Sequence, residues 1–202
     1  MQTEAIHHLR SCDPRFAEWI DRIGVIQMPK RAAREPYHAL LESIAHQQLA
    51  GSAARAIWNR VLGLFEGEVP EAERLAALSE EHLRTAGLSR SKALSMKDIA
   101  VKTLEGHVPS TRQILGMSDE DIYERLTQIR GVGPWTVDML MIFNLRRPDV
   151  MPVTDFGVRK GFKVLYRKRA LPAPKLLLKT AERWRPYRTT AALYLWRIAD
   201  SK

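Results

Sequence analysis

The residues in this 202-residue chain whose types and spacing suit chemistry are a glycine turn and, one helix later, a single carboxylate. The turn runs Leu126, Thr127, Gln128, Ile129, Arg130, Gly131, Val132, Gly133, Pro134, Trp135, Thr136, and the carboxylate is Asp155, in the proline-bounded loop Met151, Pro152, Val153, Thr154, Asp155, Phe156. Two glycines around one valine allow a tight reversal through positive φ, and Pro134 suits the first turn of a new helix. A glycine turn that opens a helix presents backbone N–H groups at the positive end of the dipole, where a phosphate binds. An ordinary corner between two helices carries the same pattern. Asp155 has two readings as well: a reactive anion, or the N-cap of a helix from Phe156 to Tyr166.

These residues need helices to hold them. Ser118 offers an N-cap before Asp119, Glu120 and Asp121, and Ile122, Leu126 and Ile129 fall on one helical face. Past the turn, Val137, Leu140, Met141 and Asn144 continue an apolar face until Arg146, Arg147 and Pro148 stop it. Upstream, Asp13 caps a helix read over residues 13–29, with Phe16, Trp19, Ile20 and Ile23 inward. The polar, proline-terminated stretch Lys30 to Pro36 reads as a linker. Tyr37 to Phe65 reads as two helices meeting at a corner, His46, Gln47, Gln48, Leu49, Ala50, Gly51. Residues 71–105 hold further amphipathic helices broken at Gly87 and Gly106. No useful strand alternation appears, so the expected fold is all-α.

With 45% hydrophobic residues and no apolar run of membrane-spanning length, the chain is expected to build a real core and to be soluble. Met1 to Arg10 lacks the apolar stretch of a secretory signal, and Cys12 stands alone, so a cytoplasmic setting without disulfides is expected. Cys12 has no evident cationic partner and receives no role, and His46 has no companions at ligand spacing, so no catalytic metal is expected. The net charge of +9 is uneven: residues 146–202 carry 15 Lys and Arg against 4 Asp and Glu, or +11, and the remainder about −2. That asymmetry suits a polyanionic partner, although a merely solvated basic surface produces it too.

The stretch from the hairpin to Asp155 resembles the DNA glycosylase superfamily named for its helix-hairpin-helix, Gly/Pro-rich loop and following aspartate. Within it, the order Trp184, Arg185, Pro186, Tyr187, Arg188 through Trp196 is similar to the alkylation-repair branch, the 3-methyladenine DNA glycosylases of type II. The resemblance implies two helical lobes with a cleft between them. Residues 37–147 would form a barrel-like lobe with the helix-hairpin-helix, and 1–36 with 148–202 a second lobe carrying Asp155. The segment Leu83, Ala86, Gly87, Leu88, Ser89, Lys92 resembles a recurring architectural piece of the family. Strand-cleaving members carry a lysine where this chain has Trp135, and an indole forms no imine, so the resemblance implies hydrolysis that leaves an abasic site.

It further implies that Asp155 is catalytic, that Trp135 and Trp196 line the base pocket, and that Met139 replaces a pocket tyrosine of some relatives. Thr154 stands where relatives are often acidic. Leu49 would be the wedge in the duplex and Gln47 or Gln48 the filler beside the orphan base, although composition alone makes Leu49 a core leucine. Gly131, Val132, Gly133 and Thr136 would grip the DNA backbone. Carbonyls of Thr127, Ile129 and Val132 would hold a monovalent cation. No other cofactor is implied, and one cysteine excludes a four-cysteine iron–sulfur cluster. The expected partner of this monomeric enzyme is double-stranded DNA with alkylated bases. A glycosylase for oxidised, mismatched or deaminated bases and a non-catalytic DNA-binding module are the alternatives.

Overall fold

The computed structural model describes residues 2–28, 34–49 and 51–201, where it has thirteen α-helices, one π-helical turn and one 3-10 turn and no strand. Among the described residues no helix is long and apolar enough to cross a membrane, and no group of three or more His, Cys, Asp or Glu could hold a metal ion. The chain divides into two compact units, Ala32–Leu140 and Met1–Arg31 with Met141–Lys202.

The unit Ala32–Leu140 contains α3 (Pro36–His46), α4 (Gly51–Gly63), α5 (Ala72–Ala77), α6 (Glu80–Thr85), α7 (Arg90–Leu104), α8 (Thr111–Leu115), α9 (Asp119–Leu126) and α10 (Pro134–Met139). Its 15-residue α7 packs against α3, α5 and α6. The buried faces are Leu40, Leu41 and Ile44 of α3, Leu75 of α5, Leu83 of α6, and Ala93, Met96, Ile99 and Ala100 of α7. Serine hydroxyls set the helix starts: Ser79, Ser89, Ser110 and Ser118 each accept a backbone N–H from their helix's first turn. Gly87 and Gly106, at φ +91° and +75°, take the left-handed conformation where α6 and α7 give way.

The other unit holds α1 (Gln2–Cys12), α2 (Pro14–Ile23), α11 (Phe156–Leu165), α12 (Pro174–Ala181), a 3-10 turn at Glu182–Trp184, and α13 (Arg188–Asp200). Aromatic rings fill its centre. Phe16 meets Trp184 edge-on at 5.2 Å, with Phe162 and Tyr194 packed into the same fully buried cluster. Buried Asp13 caps α2 through the Arg15 N–H and accepts the Tyr166 hydroxyl proton, so its cost of burial is offset by hydrogen bonds.

Three boundaries differ from the sequence expectation. The helix read over residues 13–29 ends at Ile23, because Gly24 adopts φ +76° and its carbonyl accepts the Tyr194 hydroxyl at 2.9 Å. Of the expected linker, Lys30 to Ala33 lies outside the described residues, and Pro36 is the opening residue of α3 instead. Where a continuous α-helix was expected up to Arg146, α10 passes after Met139 into a π-helical turn, Leu140–Leu145, which terminates at Arg146 with φ +61°.

Candidate active site

The hairpin joins α9 to α10. Ile122 and Leu126 anchor α9 in the core, the Ile129 carbonyl accepts the Val132 N–H at 3.0 Å, and Pro134 opens α10 behind Gly133. Only one of the two glycines needs to be glycine for conformation. Gly131 lies at φ +78°, and a Cβ there would stand 2.8 Å from Ser95 Cβ and 3.4 Å from Ile44 Cδ1. Gly133 has φ −96°, which any residue adopts, and open space around its would-be Cβ, so the expectation of positive φ at both glycines is corrected. Gly131→Ala is therefore expected to destabilise the protein by about 2 kcal/mol, and Gly133→Ala by less than about 0.5 kcal/mol, measured by denaturant unfolding.

The corner between α3 and α4 is bound to this hairpin. Gln47 donates from Nε2 to the Gly131 carbonyl at 3.0 Å and to Thr136 Oγ1 at 3.2 Å. Thr136 is buried and its hydroxyl is engaged inside the protein, so an outward contact from this side chain to DNA is not what the fold provides. Gln47 likewise has its amide nitrogen committed to the hairpin, which leaves Gln48 as the outward glutamine of the pair. Gln48 takes φ +58° and is exposed, and Leu49 beside it is 40% exposed rather than packed as a core leucine. On α10, Trp135 is 37% exposed and Met139 half-buried. The Ile129 carbonyl keeps a second lone pair beyond its bond to the Val132 N–H.

Asp155 belongs to the other unit, in a loop fastened at several points. Thr189 donates its hydroxyl to the Arg147 carbonyl at 2.7 Å and accepts the Val150 N–H at 3.0 Å. Arg188 makes a two-pronged pair with Asp149, Nε to Oδ1 at 2.8 Å and Nη2 to Oδ2 at 3.0 Å. The chain then turns at Pro152, whose carbonyl accepts the Asp155 N–H at 3.0 Å. Asp155 Oδ1 accepts two bonds, from the Val158 N–H at 2.8 Å and from the Trp196 indole N–H at 2.7 Å. Asp155 is thus the N-cap of α11, and the same carboxylate is oriented by a tryptophan from α13. Capping and chemistry are compatible uses of one half-buried carboxylate.

Trp196 is itself half-buried and stacks on Phe143, with ring centroids 5.7 Å apart and planes 29° from parallel. Phe143 is 41% exposed and is a residue that the sequence reading missed. It belongs to the π-helical turn, a departure from α-periodicity of the kind that recurs at functional sites. Gly157 makes room for this arrangement, since a Cβ there would lie 2.7 Å from Trp196 Cδ1.

The chain is similar to known proteins. Residues 41–186 match the family model described as HhH-GPD superfamily base excision DNA repair protein. The chain is 39% identical over 200 residues to DNA-3-methyladenine glycosylase 1 of Schizosaccharomyces pombe, covering 98% of this chain and 87% of that protein. Its structure is similar to that of the 3-methyladenine DNA glycosylase of S. pombe in complex with abasic DNA, with TM-score 0.89, 38% identity, and coverage of 96% of this chain and 95% of that one. It is also similar to DNA-3-methyladenine glycosidase from Bacillus halodurans, with TM-score 0.86, 34% identity, and coverage of 98% and 89%. The hairpin, the aspartate one helix beyond it and these matches across nearly the whole chain agree: the protein belongs to the HhH-GPD superfamily of base excision DNA repair proteins.

Proposed function

We propose that the protein is a monofunctional DNA glycosylase that hydrolyses the N-glycosidic bond of alkylated purines such as 3-methyladenine and 7-methylguanine, leaving an abasic site. The observation that carries the reading is the Asp155 carboxylate held by the Trp196 indole, in a chain with Trp135 where an imine-forming lysine would be needed for strand cleavage. Alkylation at purine N3 or N7 makes the base a cationic leaving group, so its departure needs little acid catalysis. What remains is to stabilise positive charge developing on the sugar and to admit water. An anionic Asp155 serves the first electrostatically, and orients or deprotonates water for the second.

To reach such a base, the enzyme must rotate the nucleotide out of the stack, at a cost of a few kcal/mol. Exposed Leu49 is suited to fill the space left behind, with Gln48 beside the orphan base. Gly133, open around its Cβ position at the start of α10, suits close approach of a phosphate to the backbone N–H groups. A monovalent cation on the carbonyls of Thr127, Ile129 and Val132 would add positive charge there. Trp135 and the Trp196–Phe143 stack supply aromatic faces that attract a cationic ring more strongly than a neutral one. Met139 lies on α10 with Trp135 and is half-buried.

The test is a panel of duplexes, each carrying one lesion. Free base should be released from 3-methyladenine and 7-methylguanine duplexes, and release confined to 8-oxoguanine, uracil or mismatched duplexes would contradict the reading. Trp196→Phe separates two contributions of the indole, because it keeps an aromatic face and deletes the N–H that Asp155 accepts. It is expected to slow single-turnover excision roughly tenfold, with DNA affinity unchanged, whereas Trp196→Ala should lose a further factor of about ten along with the stacking face.

A further inference from the structure

One face of α7 touches both loops that the preceding reading turns towards DNA. Lys92, Ser95 and Asp98 follow one another at three-residue spacing, which places them in a row along the helix. Asp98 Oδ2 accepts the Arg130 N–H of the hairpin at 2.7 Å, and Ser95 lies against Gly131. Lys92 reaches the other loop, donating from Nζ to the carbonyls of Ala45 at 3.0 Å and Gln47 at 2.7 Å. Ala45 lies in the last turn of α3 and Gln47 is its C-cap, so the ammonium meets the negative end of that helix dipole as well as two acceptors. Through its side chain, Gln47 also bonds to the hairpin.

We infer that Lys92 is a positioning residue for base extrusion: by tying the Ala45 and Gln47 carbonyls to α7, it presets the corner that presents Gln48 and Leu49, in fixed geometry with the backbone-gripping hairpin. Gln48 supports this, since a non-glycine residue in the left-handed region persists only where its surroundings hold it there. The lysine is half-buried, and burial lowers its ammonium's pKa below the usual lysine value, so the contact is made with a partly desolvated charge. The inference rests on Leu49 acting as the wedge, and its test separates the two ideas.

The variants are Lys92→Met, which keeps the length of the stem and removes the donors, Lys92→Arg, Leu49→Ala, and the double variant Lys92→Met with Leu49→Ala. The first readout needs no DNA. Amide hydrogen exchange of residues 45–49 in the free protein should accelerate in Lys92→Met relative to the wild type, and recover in Lys92→Arg. The second is single-turnover excision of 3-methyladenine. Lys92→Met should slow it roughly tenfold to a hundredfold, with Lys92→Arg restoring most of the rate. In the double variant the Lys92→Met factor should shrink to the share carried by Gln48, because a positioner no longer acts through Leu49 once that side chain is gone. Unchanged exchange at the corner in Lys92→Met overturns the inference, and so do losses that multiply in the double variant. A wild-type excision rate in Leu49→Ala overturns the wedge reading itself, whatever the exchange result.

Discussion

Asp155→Asn is expected to lower single-turnover excision of 3-methyladenine by between about a hundredfold and ten-thousandfold, with little change in stability or in affinity for duplex DNA. Two bonds of the carboxylate survive this substitution. An asparagine side chain still offers an oxygen to the Val158 N–H and to the Trp196 indole, the two bonds that Oδ1 accepts, so α11 keeps its cap and Trp196 its orientation. What is removed is the negative charge and the ability to take a proton. A large loss of rate with an intact fold assigns the effect to that charge. Asp155→Ala is a less informative variant, since it also removes the cap and should cost about 1 kcal/mol of stability. Excision by Asp155→Asn within about threefold of wild type would mean that the carboxylate is a helix cap and nothing more.

The largest effect on stability is expected at Gly161. This residue lies in the middle of α11 with α13 directly across from it: a Cβ would come within 2.6 Å of the Leu195 carbonyl carbon and 2.8 Å of its Cα, and nearer still to the carbonyl oxygen. These are backbone atoms of a buried helix, so no rotamer change relieves the clash and the two helices must separate. Gly161→Ala is therefore expected to destabilise the protein by about 3 kcal/mol or more, lowering the melting temperature by roughly 10 °C, although alanine is intrinsically the better helix former. The same displacement would move Trp196, one residue beyond Leu195, relative to Asp155, so excision should fall with stability. A neutral or stabilising Gly161→Ala would show that α11 and α13 do not pack this closely.

Much of this was legible in the chain because it depends on local chemistry. Serine and aspartate before helical runs announced the caps at Ser118 and Asp13, Pro134 announced the start of α10, and the glycine pair with an aspartate one helix beyond announced the hairpin and its loop. What escaped depends on contacts between residues far apart in sequence. The bond from Gln47 to Gly131 spans 84 positions and the one from Trp196 to Asp155 spans 41, and no window of sequence contains either pair. Gln47 looked equivalent to Gln48 because both are glutamines at a corner, and only the hairpin's proximity separates the inward amide from the outward one. Phe143 escaped because apolar periodicity runs smoothly through Leu140 and Met141, and nothing local signals a switch from α to π winding. The early end of α2 was signalled by Gly24, but apolar Val25 and Ile26 after it imitate a continuing helix.

The most direct measurement of the central claim is a single-turnover time course on a methylated duplex, in which released bases are identified chromatographically and strand integrity is followed before and after alkali. Hydrolytic excision by a chain with Trp135 in the lysine position predicts that 3-methyladenine and 7-methylguanine accumulate in solution while the strand stays whole, with breaks at the abasic sites only after alkali. Strand breaks that form without alkali, or duplex that is bound but yields no free base, would contradict it.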